Sequence, residues 1–107
     1  MNERFDLTGR TVIITGGGKG IGKVYAQEFA KAGARVAAAD VDGAAAKSVA
    51  EALAAEGLEA IGLATDIASE DSTNAMAQAA LDRFGTIDVL VNNASLMSVL
   101  PRRSWLE

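Results

Sequence analysis

The chain has 107 residues, half of them hydrophobic, and a formal net charge of −4. That length allows one small domain or a piece of a larger one. The negative balance, with Arg102-Arg103 as the one basic doublet, argues against a nucleic-acid partner. The chain has neither cysteine nor histidine. Disulfides, thiolate metal sites and cysteine nucleophiles are excluded, and with them goes the commonest metal ligand and general base, so no metal site is expected.

The opening residues, Met1 to Asp6, are polar and charged, unlike a secretion signal. No apolar stretch approaches the roughly 20 residues that cross a bilayer. These features predict a soluble, cytoplasmic protein with no membrane partner.

Strand and helix signals alternate along the chain. Thr11–Thr15 is a β-branched run and reads as the first strand. A helix follows from about Gly20 to Ala32, with Ile21, Tyr25, Phe29 and Ala32 forming its apolar face and Gly33 just past its end. Arg35–Asp40 is the second strand. The second helix covers Ala44–Glu56, with Ala46, Val49, Ala50, Leu53 and Ala54 as a buried stripe and Gly57 after it. Glu59–Ala64 is the third strand. Ser69 caps a third helix that turns Met76, Ala80 and Phe84 inward and stops at Gly85. Asp88–Asn92 is the fourth strand, and its Val89-Leu90-Val91 run suits a central parallel position. This β-α-β-α-β-α-β pattern predicts a parallel sheet of order 3-2-1-4 with right-handed helical crossovers. The switch point falls between the first and fourth strands, where open α/β sheets bind ligands.

At that switch point stands Thr15-Gly16-Gly17-Gly18-Lys19-Gly20-Ile21-Gly22. A strand running through glycines into a helix is a phosphate cradle: the backbone turns sharply, and the helix aims its free N–H groups at an anion. A dinucleotide is therefore the first ligand to consider. The spacing is not GxGxxG. Gly17, Gly22 and Lys23 match the front of a P-loop, but Val24 stands where that motif needs a hydroxyl for magnesium. The bland alternative is a glycine-rich turn that binds nothing.

Asp40 ends the second strand, eighteen positions after Gly22. A carboxylate there accepts hydrogen bonds from ribose hydroxyls and repels a 2′-phosphate, which favours NAD over NADP. Its alternative is a solvated residue opening the Asp40-Val41-Asp42-Gly43 turn. Lys19 pulls the other way, since a lysine in the loop reaches a 2′-phosphate or neutralises a pyrophosphate. Asp66-Ile67 follows the third strand: the carboxylate suits an adenine amino group and Ile67 the ring face, although Asp66 taken alone reads as a turn or cap. Asn92-Asn93-Ala94-Ser95 follows the fourth strand, and two adjacent buried amides need structural or ligand hydrogen bonds.

Together these motifs resemble the short-chain dehydrogenase/reductase family. Thr15 to Gly22 is similar to its TGxxxGIG loop, Asp40 to the acidic residue of its NAD-preferring members, Asp66 to its adenine-site aspartate, and Asn92-Asn93-Ala94 to the start of NNAG. The resemblance runs from about residue 7 to residue 95 and departs at Ser95, which replaces the motif's glycine. It implies a Rossmann-type, doubly wound, three-layer α/β/α fold, with residues 1–107 as a single NAD(P)-binding domain. It further implies an oxidoreductase that moves a hydride between a nicotinamide and an alcohol or ketone. By this carry-over Gly16, Lys19, Gly20, Ile21 and Gly22 line the pyrophosphate and its neighbouring ribose. Asp40 and Val41 meet the adenosine ribose, Asp66 and Ile67 the adenine, and Asn93, Ala94 and Ser95 the nicotinamide-side ribose.

The family's catalytic serine, its Tyr-x-x-x-Lys and its relay asparagine are expected beyond Glu107. The chain's one tyrosine, Tyr25, has Phe29 four residues later and reads as a packing residue. No catalytic residue is therefore assigned, and the polypeptide is expected to be inactive alone. The alternatives are a non-catalytic dinucleotide-binding module or an inactive fragment that joins a homologue's oligomer. The fourth strand, followed by Leu96, Met97, Val99 and Leu100, is expected to form an exposed, association-prone edge. Family members often form tetramers through later helices, so a homo-oligomer is among the expected partners.

Overall fold

A computed structural model describes residues 6–93. Its elements are β1 (Thr11–Thr15), α1 (Gly20–Lys31), β2 (Arg35–Asp40), α2 (Gly43–Ala55), β3 (Ala60–Ala64), α3 (Glu70–Phe84) and β4 (Val89–Asn92). The strands form one sheet in the order β3-β2-β1-β4, and every pairing is parallel. The architecture is Rossmann-like, as the alternation of elements predicts.

Side chains along β1 alternate between the two faces of the sheet. Val12 and Ile14 join Val36 from β2, Ala26 and Ala30 from α1, and Val49 and Leu53 from α2. Ile13 points the other way, with Ala37 and Ala39, toward Met76 and Ala80 of α3. The sheet thus lies between one layer of two helices and one of a single helix. Small residues set the spacing of these layers. A Cβ added at Gly62 of β3 would stand 2.5 Å from the Ala46 carbonyl oxygen of α2, so helix backbone rests directly on the strand.

Local signals decide the helix ends. Ser69 Oγ accepts from Ser72 N–H at 3.1 Å, as expected of an N-cap, and Glu70 and Asp71 place negative charge on the first turn. Gly33, Gly57 and Gly85, which follow the three helices, all take positive φ. Asp42 caps α2 by accepting from Ala45 N–H at 3.0 Å, so that helix begins one residue earlier than expected.

The expected inner face of α1 is wrong by about one position. Ile21 is 64% exposed and Tyr25 41%, whereas Gly22, Ala26 and Ala30 are buried. Both rows have the i, i+4, i+8 spacing of a helix face. The small row is buried because it lets α1 lie close against the sheet; Ile21 and Tyr25 go to the rim, while Phe29 is half-buried and packs against the core as expected. Tyr25 leans on Phe29, at 6.4 Å between ring centroids, and is not itself a core residue. Ala54, expected inside, is exposed, so the buried stripe of α2 ends at Leu53.

At the N-terminal ends of the strands, Asp88 ties β4 to β1. Its Oδ2 accepts from Thr11 N–H at 2.8 Å and from the Thr86 hydroxyl at 2.7 Å. Among the described residues β4 is one edge of the sheet and β3 the other, with Leu90 of β4 58% exposed. The edge expectation holds to that extent. Leu96, Met97, Val99 and Leu100 lie outside the described residues.

Candidate functional site

The C-terminal ends of β1, β2 and β4 meet around the glycine loop. The chain leaves β1 at Gly16 (φ 69°) and enters α1 at Gly20 (φ 56°), two backbone conformations that disfavour any side chain. The loop is anchored to β2. Gly17 N–H donates to the Ala39 carbonyl at 3.1 Å, and Gly18 N–H to Asp40 Oδ2 at 3.0 Å. Gly22 is required for a different reason: a Cβ there would stand 2.7 Å from both the Gly16 carbonyl carbon and Asn93 Nδ2. The first turn of α1 has no side-chain cap and no acidic residue. Its leading N–H groups and its positive dipole end therefore suit an anion.

On the β4 side, the Thr15 hydroxyl lies 3.1 Å from Asn92 Oδ1 and 3.4 Å from the Val91 carbonyl, and it accepts from Asn93 N–H at 3.1 Å. Asn93 Nδ2 sits 3.5 Å from the Gly16 carbonyl. Asn92 thus meets the end of β1 and Asn93 the start of the glycine loop, structural hydrogen bonds of the kind expected of the pair. Neither amide is fully buried as expected: Asn92 is exposed and Asn93 half-buried. Ala94 and Ser95 lie outside the described residues.

On the β2 side, both oxygens of Asp40 are engaged. Oδ2 holds Gly18 N–H, and Oδ1 accepts from Asp42 N–H at 3.0 Å. The carboxylate is thereby fixed at the strand end, with lone pairs left for a hydroxyl donor. Val41 is 78% exposed beside it. Lys19 Nζ lies 3.0 Å from Asp42 Oδ2. Asp42's carboxyl is held below the usual aspartate value, first by Ala45 N–H and then by Lys19, and the Lys19 ammonium is raised by the same hydrogen bond. Asp42 was absent from the sequence-based site. Its signal was the N-cap pattern of an aspartate directly before an alanine-rich helix.

Asp66 builds a turn: its Oδ1 accepts from Ala68 N–H at 2.9 Å, and its own N–H donates to Ser72 Oγ at 2.8 Å. Ile67 lines a cleft of about 200 Å³ with Thr15, Thr73, Met76, Leu90 and Asn92. Asp66 lies at the C-terminal side of the sheet, but its described hydrogen bonds are all local. Among the described residues, no cluster of acidic side chains could hold a metal ion.

The described geometry has counterparts in known proteins. A family model for short chain dehydrogenases matches residues 10–105. An uncharacterized oxidoreductase of Thermotoga maritima is 42% identical over 93 residues, 87% of this chain and 36% of its own length. The L-rhamnose 1-dehydrogenase (NAD(P)(+)) of Azotobacter vinelandii is 43% identical over 105 residues, 94% of this chain and 40% of its own. Among solved structures, a hydroxysteroid dehydrogenase from Escherichia coli superposes with a TM-score of 0.81 at 41% identity, over 85% of this chain and 39% of that one. A 7α-hydroxysteroid dehydrogenase complexed with NADH and 7-oxo glycochenodeoxycholic acid gives 0.80 at 39% identity, over 86% and 37%. The chain thus spans 36–40% of the length of these relatives. With the family's model matched over nearly all of it, this chain belongs to the short-chain dehydrogenases.

Proposed function

We propose that residues 1–107 act as one dinucleotide-binding unit, the nicotinamide-cofactor portion of a cytoplasmic oxidoreductase that interconverts an alcohol and a ketone. The observation that carries this reading is the open N-terminus of α1 behind two left-handed glycines, with the fixed Asp40 carboxylate at its flank. The residues fit a dinucleotide on physical grounds. The N–H groups of Gly20, Ile21 and Gly22 offer an anion site, and the bare Gly22 leaves Gly16 and Asn93 their close approach.

In this reading Gly16, Lys19, Gly20, Ile21 and Gly22 hold the pyrophosphate and the ribose next to it. Asp40 and Val41 bind the adenosine ribose, Asp66 and Ile67 the adenine, and Asn93 with Ala94 and Ser95 the nicotinamide-side ribose. When bound, the nicotinamide supplies the hydride chemistry. This chain's residues bind and orient. Asp40 makes NAD the preferred cofactor over NADP, because a carboxylate facing a 2′-phosphate is repulsive.

The sequence has one tyrosine, and it sits on the rim of α1. That observation favours binding without turnover for this polypeptide by itself, since acid–base groups contribute roughly 10²–10⁴-fold to rate. Calorimetric titration of the 107-residue chain with NAD⁺, NADH and NADP⁺ tests the reading. Saturable binding of NAD⁺ and NADH, weaker binding of NADP⁺ and no reduction of carbonyl compounds are expected. No heat with any of the three, against a folded circular-dichroism spectrum, would refute it.

A further inference from the structure

Lys19 is the one cation of the glycine loop, and it is committed. Its ammonium pairs at 3.0 Å with Asp42 Oδ2, the oxygen that the α2 cap does not use. Asp42 is fixed in turn. Its Oδ1 receives Ala45 N–H, and its own N–H donates to Asp40 Oδ1. Asp40 Oδ2 closes the circuit by accepting from Gly18 N–H, directly before Lys19. Loop, β2 end and α2 N-terminus are thus joined through two carboxylates and one lysine, with a net charge of −1 at the rim where the adenosine ribose is expected.

From this circuit we infer that Asp42 is a specificity-determining positioning residue, which keeps Lys19 from serving as a 2′-phosphate receptor. The inference rests on the dinucleotide reading above. Asp40 alone opposes a 2′-phosphate with one charge, and an uncommitted lysine beside it would offset that charge. Asp42 removes the offset by holding the ammonium and adds a second carboxylate to the rim. A 2′-phosphate entering this site meets a closed ion pair and must break it to gain a cation. A plain ribose presents two hydroxyls and needs no cation at this rim, so the pair separates the two nucleotides only at the 2′ position.

The ion pair is solvent-facing, with side chains 68% and 40% exposed, so screening moderates its effect. Removing one carboxylate charge and releasing one lysine should improve NADP⁺ binding relative to NAD⁺ by about tenfold. Asp42→Asn is the variant of choice, because the amide oxygen still accepts from Ala45 N–H and α2 keeps its cap. Asp42→Ser is a second cap-retaining variant, should the first fail to fold.

The experiment is calorimetric titration of wild type, D42N, D42S, K19Q and K19Q/D42N with NAD⁺ and NADP⁺, with helix content followed by circular dichroism. The expected result is a tenfold rise in the NADP⁺/NAD⁺ affinity ratio in D42N and D42S, the ratio cancelling any change at the pyrophosphate that both nucleotides share. Most of that rise should vanish in K19Q/D42N, a readout that a merely structural role of Asp42 would not produce. A folded D42N or D42S with a ratio within twofold of wild type overturns the proposal. So does a gain that persists in full without Lys19, because Asp42 would then act by its own charge alone. Wild-type chain that binds neither nucleotide would overturn the dinucleotide site itself, and this inference with it.

Discussion

Replacing Gly22 with alanine sets two physical effects against each other. Gly22 lies in α1 with ordinary helical backbone, so helix propensity alone favours alanine by about 1 kcal/mol. The tertiary contact says the opposite. An added Cβ would stand 2.7 Å from the Gly16 carbonyl carbon, where carbon pairs normally rest about 3.5–4.0 Å apart. The Gly16 carbonyl oxygen stands nearer still, so the loop and helix must separate by more than about 1 Å, and the groups in the way are backbone and a hydrogen-bonded amide. Overpacking a filled interior costs about 1–3 kcal/mol, and unyielding backbone puts this site at the upper end. The net is a loss of about 2 kcal/mol, or a fall of about 8–16 °C in Tm for a domain of this size. Far-UV circular dichroism melts of wild type and G22A measure it, and titration with NAD⁺ should show weakened binding because Gly16 is displaced. A G22A chain that melts at or above wild type would mean propensity outweighs the contact, and the reasoning about the loop would be wrong.

Two further predictions concern stability. Thr11 N–H and then the Thr86 hydroxyl hold Asp88's carboxyl below the ordinary aspartate value of 3.8. The unfolded chain then takes up its proton first, so the stabilisation is complete above that value and is lost as pH falls through it toward the folded pKa. Urea midpoints taken from about pH 6 to about pH 3 should fall less steeply in Asp88→Asn than in wild type, and parallel curves would remove Asp88 from the account. In the core, Leu53 is 1% exposed, and Leu53→Ala should cost about 2–5 kcal/mol in urea unfolding. Tyr25→Ala at the helix rim should cost less than about 1 kcal/mol; the reverse ranking would restore the sequence-based face of α1.

Element order, strand order and most boundaries were legible because their signals are local: β-branched runs, glycines after helices, Ser69 before α3. The face of α1 was not. Hydropathy assigns the interior to the bulky line of Ile21, Tyr25 and Phe29, whereas the fold needs close approach, buries the line of Gly22, Ala26 and Ala30, and keeps only Phe29 of the bulky line against the core. The candidate site divides in the same way. The glycine loop and Asp40 announce themselves by type and spacing. The support that Asn93 gives Gly16 and the tie between Asp88 and Thr11 each join residues 77 positions apart, and no window of sequence contains both partners. Asp42 lay between these cases, visible as a cap but not as the partner of Lys19.

The distance between β1 and β4 along the chain also has a consequence in time. Thr15 and Asn92, which meet side by side at the rim of the loop, are 77 residues apart. A ribosome adding about 5–20 residues per second takes about 4–15 s to cover that interval. Late in that interval, once β3 has been made, β1, β2 and β3 can pair through their helical crossovers while the glycine loop still lacks Asn93 beneath it. The loop is thus among the first features synthesised and among the last completed, and a nascent chain cannot offer a finished phosphate cradle until its fourth strand has emerged.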